Sequence, residues 1–146
     1  MADGPIDLIR LEGEGNSVVV RITGIHDAGL AEGPAAGDVL AGEILVDTPF
    51  VRGSTGISVF PKDLQQWQEA LDALDAGQDI AWREGVRGPE VFVERDMDEE
   101  RAHVTIKDGS MSLTTVTVTV PLADSWFDDA YRRLDRTWET WPLAED

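Results

Sequence analysis

Apolar residues recur along this chain at two periods, and the change from one to the other divides it into strands and helices. Early on, Val18, Val20 and Ile22 occupy every second position, with Val19 and Arg21 between them. A period of two places one set on one face of a strand. Residues 17–25 therefore read as a strand, paired with a partly alternating one at 7–11 through the turn residues Gly13, Glu14, Gly15 and Asn16. Two more strands are expected at 39–47 and 56–60, around a connection carrying Thr48, Pro49 and Gly53. Within it, Gly53, Ser54, Thr55 and Gly56 read as a turn-forming run.

The period then lengthens. Leu64, Trp67, Leu71 and Leu74 are spaced by three and four, which predicts a helix over 61–76 with one apolar stripe. Pro61 suits a first helical position, where a missing N–H costs nothing, and Gly77 suits a left-handed residue just past the end. Gln65, Gln66, Glu69, Asp72 and Asp75 fall largely off the stripe and are expected to face water.

Four strands should follow at 79–84, 90–95, 102–107 and 111–120. Lys107, Asp108, Gly109 and Ser110 form a hairpin signal, since Asp-Gly tolerates the positive φ of tight turns. In the last strand Val116, Val118 and Val120 oppose Thr115, Thr117 and Thr119, with Leu113 out of phase. That mismatch predicts a bulge near Thr114, or cover on both faces. A second helix is expected from Ser125, with Trp126, Phe127, Ala130, Leu134 and Trp138 as its stripe and Ser125 with Asp128 resembling a capping box. Asp128 and Arg132, and Asp129 and Arg133, are spaced for i,i+4 pairs in the order the helix dipole favours.

Four strands, a helix, four strands and a helix predict an α+β fold: a twisted, mainly antiparallel sheet of about eight strands with two amphipathic helices packed on one face. A small barrel-like closure is the rival arrangement. The pattern breaks at residues 31–38 and 85–89, but nothing divides the chain, and residues 1–146 read as one domain.

Composition narrows the chemistry. There is no cysteine, which removes disulfides, thiolate metal sites and cysteine nucleophiles together. The first residues, MADGPIDLIR, lack the basic and apolar segments of a secretory signal, and no apolar run approaches the ~20 residues of a membrane span. A cytoplasmic protein without membrane contact is expected. The net charge of −17 argues against nucleic-acid binding and fits a basic protein partner, or solubility alone.

Motifs for catalysis are missing from the sequence. His26 and His103 stand far apart, without zinc-ligand spacing, and His103 alternates with Thr105 and Lys107 on a polar strand face. His26 with Asp27 lacks a Gly-x-Ser-x-Gly elbow, and no phosphate-binding loop occurs. Gly13 and Gly15 lack the third glycine and the helix of a dinucleotide site. Neither an enzyme, nor a metal, nor a cofactor is expected.

Two features stand out as binding candidates. Residues 94–101, ERDMDEER, concentrate charge, and Asp96, Asp98, Glu99 and Glu100, with the acidic outer face of the first helix as a second surface, are the expected contacts for a basic partner. Their calcium-loop reading fails for want of the glycine and terminal glutamate, and as a plain hairpin tip they would guard a sheet edge. Of five tryptophans, Trp141 is the one placed for a partner, with anchoring of the last helix as its alternative. Trp82 and Trp126 would line a pocket between sheet and helices if the protein were instead a small-molecule-binding module. A DNA mimic is a third reading.

Phe50-Val51-Arg52-Gly53, Phe60-Pro61-x-Asp63-Leu64 and Trp67-x-x-Ala70-Leu71-x-x-Leu74 together resemble an actinobacterial family of unknown function. So do Tyr131-Arg132-Arg133-Leu134 and Thr137-Trp138-Glu139-Thr140-Trp141-Pro142. The resemblance covers most of the chain and brings no catalytic residues. At lower similarity the same plan looks like WapI-type immunity proteins of polymorphic toxin systems, which implies an inhibitor that occupies a site on another protein.

Overall fold

The computed structural model describes residues 4–25, 39–85, 88–109 and 112–141. His26, the break at 31–38 and part of that at 85–89 lie outside the described residues. The element order is β1 Ile6–Gly13, β2 Asn16–Ile25, β3 Leu40–Asp47, β4 Arg52–Val59, α1 Pro61–Asp75, β5 Ile80–Trp82, β6 Glu90–Asp96, β7 Arg101–Asp108, β8 Thr114–Pro121 and α2 Trp126–Thr140.

The fold is α+β with eight antiparallel strands and two helices, as the periodicity predicts. The strands form two sheets rather than one, in the orders β1-β2-β3-β4 and β5-β6-β7-β8, and neither is closed. Short turns make each sheet a meander, and α1 intervenes between them. The sheets meet where the β1–β2 hairpin lies against β8. Asn16 Nδ2 donates to Thr119 O at 2.9 Å, and a Cβ on Gly13 would stand 2.6 Å from Pro121 Cγ. Only glycine permits that approach.

One core serves both sheets and both helices, from Leu8 and Val20 through Leu64, Trp67 and Leu71 to Val104 and Leu134. In β1 the register slips between Asp7 and Ile9, so that both Leu8 and Ile9 are buried. The predicted stripe of α1 is fully buried, and the helix ends as Gly77 implied. Gly77 has φ +93°, its N–H reaches Leu74 O, and the N–H of Gln78 reaches Ala73 O. At the other end Asp63 accepts the N–H of Phe60 at 2.9 Å.

Three local expectations are corrected. Residues 52–55 are strand, not turn: β4 runs from Arg52, and its two glycines are accommodated because it is an edge strand. No bulge sits near Thr114, because β8 pairs with β7 without a slip from Thr114 onward and Leu113 lies outside the strand at φ +57°, exposed. Ser125 makes no side-chain cap on α2. Of the two predicted pairs in α2, Asp129 and Arg133 meet at 2.6 Å, while Arg132 turns instead toward Asp129 at 3.9 Å.

Candidate functional site

The acidic residues singled out from sequence lie on the turn between β6 and β7. The turn is well formed: the N–H of Glu99 donates to Asp96 Oδ1 at 3.2 Å, Arg101 approaches Asp96 Oδ2 at 3.7 Å, and Leu122 N–H ties down Glu100 O at 2.9 Å. Glu100 holds φ +53°. Asp96 and Asp98 line a shallow groove of about 510 Å³ with Asp79, Glu94, Arg95, Met97 and His103. Glu99 and Glu100 are exposed on the same turn but line no part of the groove.

Arg95 does not neutralise that groove. Its side chain, 4 % exposed, crosses Phe127 at 4.8 Å and donates to Leu74 O and to Asp124 Oδ1, both at 2.7 Å. Those contacts tie β6 to the end of α1 and the start of α2, where a cation favours the carbonyl end of α1. Its backbone N–H holds Asp79 in place at 3.0 Å. The groove is thus lined by four carboxylates, of which, among the described residues, only Asp96 has an arginine side chain in ion-pair range, Arg101 at 3.7 Å.

Met97 joins two surfaces that looked separate in sequence. Its side chain is 55 % exposed, and a Cβ on Gly77 would lie 2.9 Å from its Sδ. The tip therefore rests on the end of α1, whose last residue, Asp75, is exposed. The sulfur gives this acidic face an apolar centre that sequence reasoning missed; a methionine between aspartates carried no periodic signal.

Trp141 belongs elsewhere. It is 5 % exposed, part of the core, and its N–H donates to Thr137 O at the end of α2. A buried indole has no face left for a partner, so the residue takes its anchoring alternative and leaves the candidate surface. Trp82 packs on Trp67 at 5.5 Å between centroids and donates to Asp63 O, and Trp126 donates to Arg10 O. Neither lines the groove beside the β6–β7 turn.

A larger groove, about 710 Å³, lies between the end of β4, the start of α1 and the residues Arg83, Gly88 and Pro89. Its floor holds Arg83, which sequence reasoning also missed because nothing marks an arginine after a tryptophan as buried. Arg83 adopts φ +68°, unusual for a residue with a Cβ. Burial pushes its pKa down, and the carboxylate of Asp63 at 3.5 Å opposes that shift. A third and smaller groove gathers Arg21, Arg133 and Arg136 around Asp7.

Among the described residues no group of three or more His, Asp or Glu side chains is arranged to hold a metal ion, and no helix is long and apolar enough to cross a membrane. No curated protein is significantly similar to the chain. A family model described as a family of unknown function, DUF5959, matches residues 6–142, and the chain belongs to that family.

Proposed function

We propose that the protein is a non-enzymatic, cytoplasmic binding protein whose acidic face engages a basic protein partner, as an immunity or inhibitor protein would. The observation that carries this reading is Met97, an exposed apolar side chain lodged between the carboxylates of the β6–β7 turn and the acidic end of α1. An apolar anchor ringed by like charge suits a partner that brings cations around a small apolar pocket. The net charge of −17 would speed encounter with such a partner and repel acidic ones. The sequence resemblance to an actinobacterial family and, more distantly, to WapI-type immunity proteins belongs to the same reading.

The test is capture from a native cell lysate at low and high salt, with the wild type and two charge reversals. Asp98→Lys combined with Glu99→Lys should abolish salt-labile capture of one basic protein, while Asp135→Lys on exposed α2 surface should leave it intact. Once that protein is in hand, the double reversal should slow association at least tenfold at low salt, with the difference closing as salt rises. Capture indifferent to the double reversal would remove the acidic face from the argument. No protein partner, together with a melting shift induced by a small ligand, would favour a small-molecule module.

A further inference from the structure

Among the described residues no strand pairs with the outer edge of β4. Thr48 N–H donates to Val51 O at 2.8 Å across the β3–β4 turn, so that pair is hydrogen-bonded. Bonded and non-bonded pairs alternate along an antiparallel ladder. With the register running unbroken from Asp47↔Arg52 to Leu40↔Val59, Gly53, Thr55, Ile57 and Val59 turn their backbone groups toward β3. Arg52, Ser54, Gly56 and Ser58 turn theirs outward. One contact agrees independently, since Arg83 Nη1 reaches Ser58 O from outside at 2.8 Å. No other described group hydrogen-bonds to this outward row.

Edges are usually blunted by lysine, proline or a bulge. β4 carries neither of those residues and no register slip, and the side chain of Arg52 is turned to Asp47 at 3.2 Å. A Cβ on Gly53 would meet nothing within 4 Å. The row leads from Arg52 toward Gly56 and Ser58, where the 710 Å³ groove begins.

At that end stands Arg83. Its side chain is 5 % exposed, its Nε donates to Pro89 O at 3.0 Å, and its Nη1 serves Ser58 O and Asp63. Nη2 has no hydrogen-bond partner among the described residues and faces Gly88, whose Cβ, if present, would lie 3.2 Å away. A guanidinium remains charged when buried, and the N–H groups of Nη2, which still reach solvent at the groove, are free to donate to an anionic acceptor. The groove is lined by Lys62 and Arg83 against the single carboxylate of Asp63, so it is locally positive in a chain of net charge −17. Half-exposed Phe60 supplies apolar surface beside it.

We infer that β4 and the Arg83 groove bind an extended peptide, added as a strand along the β4 edge with its free C-terminal carboxylate against Arg83 Nη2 and Lys62. The carboxylate at the Ser58 end sets the peptide parallel to β4. Main-chain bonds to Arg52, Ser54 and Gly56, and to the N–H of Ser58, whose oxygen already accepts from Arg83, provide affinity that is indifferent to sequence, and the charged end fixes register. A second copy of this chain pairing edge to edge would set two strongly acidic molecules together and leave Nη2 unanswered.

The experiment uses a synthetic pool of random octapeptides with free C-terminal carboxylates and the same pool as C-terminal amides, each passed over the immobilised protein. The free-acid pool should yield binders enriched at least tenfold over the amide pool. The best binder should perturb the backbone amide resonances of Arg52, Ser54, Gly56 and Ser58. Ser54→Pro removes one outward N–H without touching the ladder to β3, so it should fold, as circular dichroism would show, and lose binding at least tenfold. Lys62→Glu should fold likewise and reduce the preference for the acid. Equal enrichment of acids and amides, binding untouched by Ser54→Pro, or no binders from either pool overturns the inference. So does concentration-dependent dimerisation that protects the same four amides without peptide, which would assign the edge to a second copy.

Discussion

Asp7 is held by more cations than its place in β1 needs. Its carboxylate accepts from Arg10 at 2.7 Å and Arg21 at 2.8 Å, while Arg133 of α2 donates to its backbone oxygen at 3.1 Å. Burial alone would raise the Asp7 pKa, but the hydrogen bonds and charges of Arg21 and Arg10 outweigh it and the net shift is downward. A carboxyl with a lowered folded pKa contributes stability above its unfolded value of ~3.9, and loses that contribution as pH falls through the folded value. Asp7→Asn should therefore cost about 1.5–3 kcal/mol at neutral pH, the range for charge-assisted hydrogen bonds. Urea unfolding at neutral pH and in steps below ~4 would measure it. The gap between variant and wild type should narrow as the wild-type carboxyl protonates; a gap that stays constant would show that the carboxylate charge contributes nothing. Neither this residue nor Arg83 was legible in the sequence, because burial of a lone charge depends on partners distant along the chain.

Elements were far more legible than their assembly. The stripe of Leu64, Trp67, Leu71 and Leu74 determined α1, and the valine and threonine alternation determined β8, because each reports its own local period. The start of β4 was misread since Arg52, Gly53, Ser54 and Thr55 have turn composition, and only the unpaired edge makes such a strand possible. The way the two sheets join was likewise hidden, as it rests on contacts such as Gly13 with Pro121 that no periodicity encodes. Arg95 is the clearest instance of an element tie misjudged from composition. In ERDMDEER it looks like one more surface charge, yet it links β6 to both helices. Its Nε is buried without a hydrogen-bond partner, a cost the other contacts must offset. Arg95→Met keeps most of the stem packing over Phe127 and removes the bonds to Leu74 O and to the exposed Asp124, so a loss of about 1.5–3 kcal/mol is expected in urea unfolding. A stability change under ~0.5 kcal/mol, the range of an ordinary surface substitution, would refute the tie.

At the scale of the molecule, charge is sorted rather than merely unbalanced. Arg83 and Arg95 are nearly fully buried, and Arg10, Arg21 and Arg133 gather around Asp7. Many of the chain's few cations are thus spent inside or in pairs, which leaves the outer surface richer in unopposed carboxylates than the net charge of −17 suggests. Two opposing effects then respond to salt. Screening weakens exposed ion pairs, each worth ~0–1 kcal/mol, and it also relieves repulsion among the carboxylates. Repulsion should win here, because the excess acid is spread over the whole surface while the exposed pairs are few and weak. The Debye length shrinks from ~30 Å at about 0.01 M salt to ~8 Å at about 0.15 M, enough to uncouple carboxylates on opposite sides of one sheet. Raising salt over that interval should stabilise the fold by about 1 kcal/mol and lift its melting temperature by roughly 2–4 °C. Sodium chloride and tetramethylammonium chloride should act alike, since the effect belongs to ionic strength and not to one ion. A melting temperature that falls with salt would mean that the ion pairs around Asp7 and Asp129 outweigh the repulsion, and that the acidic surface is less of a burden to the fold than its charge implies.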